Sequence, residues 1–267
     1  MAGFPDTPRP AAGGLQLLEC LYYRDRLREA RYAALADAEG FGAICFALEA
    51  LGLRLLGRQE ALGAYKGEIG IQARSSLVLN ELADAYPLMF KPFNALFSIV
   101  QAARNDVMHT GAYARHATQA AIELCIGLEE ALMAEVTRTV SNLMVSAPVT
   151  VEAWQPVAHA RQLMLMHSFS FLPVRLDGTW CLVSELGLAK YLNDGVRKTR
   201  LAETIEAARS NGMEVIEVAA GELLGAQTPV EEVLQRAQVQ RGPMLWLVVD
   251  QDHQERLAGV LSPFELM

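Results

Sequence analysis

The sequence predicts an α+β protein: an all-α helical bundle at the N-terminus, followed by a tandem β-α-β-β-α pair. Three observations carry that expectation. From Leu15 to about Met144 apolar residues recur at three- and four-residue spacing, with almost no period-2 alternation. From about Val145 two segments match each other in order, an internal repeat of about 50 to 60 residues. The chain of 267 residues, 52% hydrophobic and 20% charged, is long enough for two domains with separate cores. The expected organisation is a loose tail over residues 1–14, with prolines at 5, 8 and 10, then a bundle over 15–142 and a repeat module over 143–267. The repeats themselves cover about 143–195 and 196–267.

In the first half, Leu17, Leu18, Leu21, Tyr22 and Leu35 line one side of a first helix. Arg24, Arg26, Arg28 and Arg31, interspersed with Asp25 and Glu29, predict a solvated face with internal pairs. Glu39-Gly40 punctuates, and a second apolar helix is expected over 41–56. The three glycines between Leu62 and Gly70 predict a loop, and a third helix follows over about 71–85, ended by Tyr86-Pro87. Lys91-Pro92 reopens a helix that runs towards Arg104, proline being tolerated in a first turn. A final long helix is expected over about 112–142, with Ile122, Cys125, Ile126, Leu128, Leu132 and Met133 as its buried stripe. Four to five such antiparallel helices make a bundle.

The second half changes pattern. The first unit begins Ala147-Pro148-Val149-Thr150-Val151 and continues with a helix over about 155–167. The strand Phe171-Leu172-Pro173-Val174-Arg175, an Asp177-Gly178 turn, the strand Trp180 to Ser184 and a helix over 185–192 complete it. Asp-Gly between two short apolar runs is a strong hairpin signal. The second unit runs Gln227-Thr228-Pro229-Val230, a helix to about Gln240, strands over 244–249 and 257–261, and Ser262-Pro263-Phe264-Glu265-Leu266. Each unit is too small to bury its own sheet face, so the two are expected to pack as a pair.

Charge and cysteine usage bound the function. The net charge is −8, with 16 acidic against 13 basic residues through position 140 and 15 against 10 after it. Such a chain is a poor non-specific nucleic-acid binder, so any RNA role rests on a local site. Cysteines 20, 45, 125 and 181 are scattered in apolar surroundings with neither zinc spacing nor a disulfide framework, as expected in a reducing cytoplasm. No apolar run approaches the roughly 18 to 20 residues of a membrane span, and no secretory leader is visible. The expected protein is cytoplasmic, with no membrane partner and no metal.

The stretch Ala102 to Gly111 carries chemistry. Arg104, Asn105 and His109 sit inside an otherwise apolar helical region, where polar groups are costly unless partnered. Histidine exchanges a proton near neutral pH, and arginine offers a fixed fork of donors to a phosphate whose charge grows in the transition state. Asparagine can orient the phosphate or the attacking group. The set suits metal-free phosphodiester cleavage by a neighbouring 2′-hydroxyl. On one unbroken helix Arg104 and His109 stand about 140° apart at roughly 100° per residue. Either the helix breaks between them, as Thr110-Gly111 would encourage, or the site is assembled from two chains. A second copy also supplies the second imidazole that acid and base catalysis together require. If a helix continues through Gly111, His109, Tyr113 and His116 share a face at four- and seven-residue spacing, which makes Tyr113 and His116 auxiliary candidates.

Arg104-Asn105-Asp106-Val107-Met108-His109, late in a small helical bundle, resembles the Arg-polar-x(4–6)-His motif of the HEPN superfamily. The resemblance covers about residues 15–140. It implies a homodimer whose facing motifs line a ribonuclease cleft, with Arg104 and His109 catalytic and Asn105 their polar companion. It also implies a toxin or defence setting. Gly111 stands where one toxin subgroup carries a tyrosine two residues after the histidine, so modification of such a tyrosine by an antitoxin does not transfer.

The repeat, with Phe171-Leu172-Pro173-Val174 and Gly259-Val260-Leu261-Ser262-Pro263-Phe264-Glu265-Leu266, resembles a tandem CBS (Bateman) module over about 143–267. That resemblance implies regulatory AMP, ADP or ATP in the clefts between repeats, and no catalytic cofactor. The ribose-contacting pattern, Ser or Thr followed three residues later by Asp, becomes Ser262 and Glu265 in the second repeat. In the first it becomes Ser184 and Gly187, without the acid. At most one competent site is expected, on Ser262 and Glu265 with Thr228 or Thr150 nearby. The alternative is a degenerate pair kept for dimerisation. Two further readings stay open for the whole chain: a non-catalytic RNA-binding or nucleotide-sensing protein, and a structural dimeriser in which Asp106 and the motif form interface ion pairs.

Overall fold

Helix α1 (Leu17–Ala36) lies against helix α6 (Ala114–Met133) through small side chains, in a computed structural model that describes residues 14–37, 40–106, 114–238 and 245–267. Leu27, Ala30 and Ala34 of α1 are buried with Ala117, Ala120, Ala121, Leu124 and Leu128 of α6. Alanine on both faces lets two helices approach closely, with Leu27, Leu124 and Leu128 filling the rest of the contact. Leu17, Leu18, Tyr22 and Leu35, expected to form the apolar side of α1, are exposed, Leu18 at 78%. Arg24, Arg28 and Arg31 face inward instead, while Arg26 stays exposed, its Nη1 donating to the Tyr22 hydroxyl at 2.9 Å. Arg31 binds Glu129 of α6 through Nε to Oε1 at 2.8 Å and Nη2 to Oε2 at 3.1 Å, with Arg28 Nε 3.5 Å from Oε2. Arg24 is buried beside them and paired with Asp25 at 2.7 Å. The expected solvated charge face is therefore corrected for Arg24, Arg28 and Arg31, and holds for Asp25, Arg26 and Glu29, which are exposed. The partner of Arg28 and Arg31 is a carboxylate about a hundred residues away in sequence.

Helix α2 (Phe41–Leu56) follows the expected bounds and ends on Gly57, whose φ of 74° provides the left-handed turn that stops it. The glycine-rich stretch expected as a loop is wound: a 3₁₀ turn over Leu62–Tyr65 leads straight into α3 (Lys66–Ala73). Tyr65 is buried over Gly52, where a Cβ would lie 2.3 Å from its ring, so α2 and this turn meet only because position 52 has no side chain. The single third helix expected over 71–85 is split. Glu130 of α6 accepts Ser76 Oγ at 2.6 Å and the Val78 amide at 3.2 Å, which caps a new start. A π-wound turn (Val78–Leu82) and α4 (Ala83–Ala85) then follow. Helix α5 (Phe93–Asp106) buries Phe93, Leu96, Phe97, Val100 and Ala103 at the helical spacing. Of the stripe expected on α6, Cys125, Leu128 and Leu132 are buried, whereas Ile126 is exposed at its edge.

The chain divides into two compact units between Val136 and Thr137. Residues 137–142, expected at the end of the last long helix, belong by their hydrogen bonds to the second unit. The amides of Val140 and Ser141 donate to Thr228 O at 2.9 Å and Ala226 O at 2.7 Å. A short helix, α7 (Val140–Leu143), precedes strand β1 (Val145–Ser146).

The second unit contains the repeat in three dimensions. In its first half Val151 bridges Val174 in parallel, α8 (Val157–His167) follows, and β2 (Phe171–Leu176) pairs antiparallel with β3 (Thr179–Ser184) before α9 (Glu185–Asn193). The hairpin turn has φ of 49° at Asp177 and 79° at Gly178, the two positive values that a type I′ turn needs. After β4 (Val215–Glu217), β5 (Leu224–Gly225) lies parallel to β6 (Trp246–Val249), with α12 (Val230–Ala237) between them in sequence. Strand β7 (Leu257–Leu261) pairs antiparallel with β6 and leads into α13 (Pro263–Leu266). Two strands cross over. β1, before the first half, pairs with β7 of the second, and β4, before the second half, pairs with β3 of the first. The sheet orders are β1-β7-β6-β5 and β2-β3-β4.

Residues 196–213, expected to open the second repeat, serve the first. Helices α10 (Arg197–Ala202) and α11 (Ile205–Ser210) deliver Leu201, Ile205 and Ala208 to a core with Val157, Leu172 and Val174. Tyr191 of α9 donates to Glu203, which also accepts Asn211 Nδ2 at 2.8 Å, while Arg200 stacks 4.1 Å from the Tyr191 ring centroid. The hydrogen bond from Tyr191 and then that from Asn211 hold the Glu203 carboxyl below its ordinary value.

Cys45, Cys125 and Cys181 are buried, and Cys20 is half-exposed. Burial pushes the Cys45 thiol up to about 11, against the opposing pull of the Arg104 charge, and burial raises Cys125 and Cys181 as well. At pH 8 in a thiol-disulfide indicator the native protein is expected to titrate Cys20 first. The buried three should react at a rate set by unfolding, and full release should follow only after guanidinium is added.

Candidate functional site

The rotation of α5 decides what the Arg104 segment presents. Because Phe97, Val100 and Ala103 are buried, Arg104 sits at the margin of the buried stripe and Asn105 beside it is exposed. Arg104 occupies the last turn of the helix, where a positive charge also complements the helix dipole. Its Nη2 forms an ion pair with Oε1 of Glu49 on α2, the two side chains being 38% and 23% exposed. Cys45 lies one turn before Glu49 on the same helix and feels both charges. The guanidinium is thus fixed in direction and open to solvent on one side.

His116 is exposed in the first turn of α6. His109 and Tyr113 lie outside the described residues, as does the face expected to carry them with His116. Arg104 and Asn105 are therefore placed together at one helix end, with His116 at the start of the next helix. Glu49 was not among the residues singled out by sequence. The available signal was that it is the lone acid in the apolar run Phe41–Leu56. Among the described residues no group of three or more His, Cys, Asp or Glu side chains is placed to hold a metal ion.

In the second unit the structure brings Ser262 and Glu265 together at the start of α13. Glu265 Oε2 accepts the Ser262 amide at 2.8 Å and the Ser262 hydroxyl at 2.5 Å, and the hydroxyl oxygen accepts the Phe264 amide at 3.3 Å. This is a capping box, with Pro263 at the first helical position. The longer acid expected to reach for ribose is folded back on its own serine, and both contacts use the one oxygen.

Ser184 plays the matching part in the first repeat, its Oγ accepting the Gly187 amide at 3.0 Å at the start of α9. A Cβ at Gly187 would lie 2.5 Å from the Glu214 carbonyl oxygen. That contact accounts for the missing acid, because no longer side chain fits there. Thr228 lies in the turn between β5 and α12, its amide bound to Gly225 O at 3.1 Å, and it follows β5 as Ser262 follows β7 of the same sheet. Thr150 precedes Val151, whose bridge to Val174 of β2 puts it beside the sheet that holds Ser184. The five residues thus fall into two sets, Ser262, Glu265 and Thr228 against Ser184 and Thr150. A separate surface cavity of about 810 Å³ lies between α8 and α9, lined among others by Arg161, Phe169, Leu186 and Arg197, and none of the five reaches it.

No helix among the described residues is long and apolar enough to cross a membrane. No protein-family model matches the chain, and no curated protein matches it. Solved structures do align with about half of it. One is a putative acetoin utilization protein (AcuB) from Vibrio cholerae, at 14% identity and a TM-score of 0.39, covering 49% of this chain and 88% of that one. A second is the CBS domain pair of protein MJ0100 in complex with 5′-methylthioadenosine and S-adenosyl-L-methionine, at 17% identity and a TM-score of 0.37, covering 49% and 93%. A third is CBSX2 in complex with AMP, at 18% identity and a TM-score of 0.37, covering 48% and 92%.

Proposed function

We propose that this protein is a dimeric, metal-independent endoribonuclease of the HEPN type whose repeat unit senses an adenine nucleotide. The observation that carries the proposal is the placement of Arg104: a guanidinium aimed from the last turn of α5, partly open to solvent, with exposed Asn105 beside it. In this reading Arg104 binds the non-bridging oxygens of an RNA phosphate. The His109 imidazole of one copy takes the proton from the 2′-hydroxyl, and the 2′-oxygen attacks phosphorus. The His109 of a second copy protonates the departing 5′-oxygen. The products are a 2′,3′-cyclic phosphate and a 5′-hydroxyl end. Asn105 orients the phosphate, and Tyr113 and His116 are auxiliary. Purified protein mixed with RNA and EDTA tests the proposal, and cleavage lost on adding chelator alone would overturn it.

In the repeat unit the reading places a ribose against Glu265, through the oxygen that the cap leaves free, with Ser262 and Thr228 following strands of the same sheet. Ser184 and Thr150 flank the cleft that lacks an acid. A thermal-shift screen of AMP, ADP, ATP and S-adenosylmethionine should show one of them raising the melting point. Saturation near 100 Kd is worth about 2.7 kcal/mol. Glu265→Ala is expected to lose that rise, measured against its own ligand-free baseline, because the cap itself is worth about 1 kcal/mol. If all four leave the melting point unchanged, the degenerate pair is the correct reading.

A second reading is favoured by one observation, the ion pair that already occupies Arg104. A guanidinium already paired suits a non-catalytic RNA-binding or nucleotide-sensing protein, and the net charge of −8 weighs towards the nucleotide-sensing form of that reading. The EDTA assay separates the two.

A further inference from the structure

Glu49 is the lone acid of a helix whose one other charged residue, Arg54, is paired with Glu19, and its carboxylate is spent on Arg104. A charged group three-quarters withdrawn from water in such a helix is costly unless a cation compensates it, and Arg104 is that cation. The pair joins α2 to α5 within the first unit. It also has a consequence for any anion that approaches. A phosphate seated on the same guanidinium would lie a few ångströms from a carboxylate, where two negative charges repel strongly in a partly buried setting.

From this geometry we infer that Glu49 is a built-in competitor for the Arg104 site, an internal carboxylate that an RNA phosphate must displace or outweigh. The inference rests on the reading of Arg104 as a phosphate-binding residue. A single free phosphate or mononucleotide offers one contact and does not repay the lost ion pair. An RNA strand lying across two copies offers several phosphates at once and does. Glu49 thereby sets the affinity threshold of the site and favours a polyanion over small cellular phosphates. It acts through Arg104, as a competitor for the guanidinium, and is not a catalytic residue.

The test measures binding of the full-length protein to a short fluorescein-labelled single-stranded RNA by anisotropy in EDTA, alongside cleavage kinetics. Glu49→Gln, which keeps the shape and removes the charge, is expected to tighten Kd about three- to tenfold. KM should fall by a similar factor, and inorganic phosphate should become a better inhibitor. Glu49→Asp, which restores the charge, should return Kd towards wild type. Exposed Glu81→Gln removes the same net charge elsewhere and should leave Kd unchanged. In an Arg104→Ala background Glu49→Gln should lose its effect, because the competition has no object.

If Arg104→Ala weakens binding while Glu49→Gln leaves Kd unchanged, the competitor role is wrong and the phosphate-binding reading stands. If Glu49→Gln weakens binding with its circular dichroism and melting point intact, Glu49 orients Arg104 for the phosphate and the inference is overturned. If Arg104→Ala changes neither binding nor cleavage, the reading beneath the inference falls with it.

Discussion

Arg104→Ala and His109→Ala should each lower RNA cleavage in EDTA by a factor of about 10² to 10⁴, the range that a lost proton-transfer group or charge clamp produces. The two losses should differ in kind. Arg104→Ala removes contacts to the phosphate and should raise KM as well as lower kcat. His109→Ala removes proton transfer and should act on kcat alone. The melting point should also fall for Arg104→Ala, because Glu49, 23% exposed, loses the cation that compensates it. The two-copy mechanism adds a sharper expectation. A wild-type chain mixed with excess His109→Ala should lose more activity than dilution explains, because each mixed dimer has only one of the two imidazoles. A self-contained site would be diluted and no more. Cleavage products carrying 2′,3′-cyclic phosphate ends would match the chemistry, and cleavage that survives both substitutions would remove it.

Glu129→Ala should be the most damaging single change to the first unit. One carboxylate, 10% exposed, holds Arg31 by two hydrogen bonds and Arg28 by a longer one, with Arg24 buried alongside. Removing it leaves several cations facing one another in the α1–α6 contact. Breaking a buried pair in this way costs about 3 to 5 kcal/mol, or a fall in Tm of roughly 10 °C or more for a unit of this size. Replacing Glu129 and Arg31 together by leucine should recover part of the loss, because the repulsion is relieved and apolar contact replaces the pair. Differential scanning calorimetry of the three proteins reads this directly. A Glu129→Ala protein melting within a degree or two of wild type would mean that water compensates the arginines.

The two halves differed in how much of them could be read from residues. Turn chemistry made the repeat legible: Asp177-Gly178 demands two positive φ values and so fixes the β2–β3 register, and Ser262-Pro263 announces a helix start. What local pattern could not supply was membership. Residues 196–213 follow the first repeat in sequence and complete its core, because Ile205 and Ala208 are apolar at positions that only the packing explains. In the bundle, helices were visible and their faces were not. Counting leucines put the wrong side of α1 inward, since the deciding partners, alanines of α6 and the carboxylate of Glu129, lie about a hundred residues away. The candidate site divides in the same way. Arg104 and Asn105 were visible as a polar insertion in an apolar helix. Glu49, some fifty residues earlier, becomes part of the site only once α2 and α5 are side by side.

The exchange of edge strands between the repeats has a consequence for how the second unit comes apart. The ladder that β1 completes ends on β7, and the ladder that β4 completes ends on β3, so each half finishes its sheet with a strand that leads into the other. Unfolding either half strips a strand from its neighbour and exposes an unpaired edge there. Residues 137–267 are therefore expected to unfold as one cooperative unit, with a single transition in denaturant, and not as two in series. A loss of order that begins around Ser262 is felt at once by β1, which is the stretch of chain that leads back to α6.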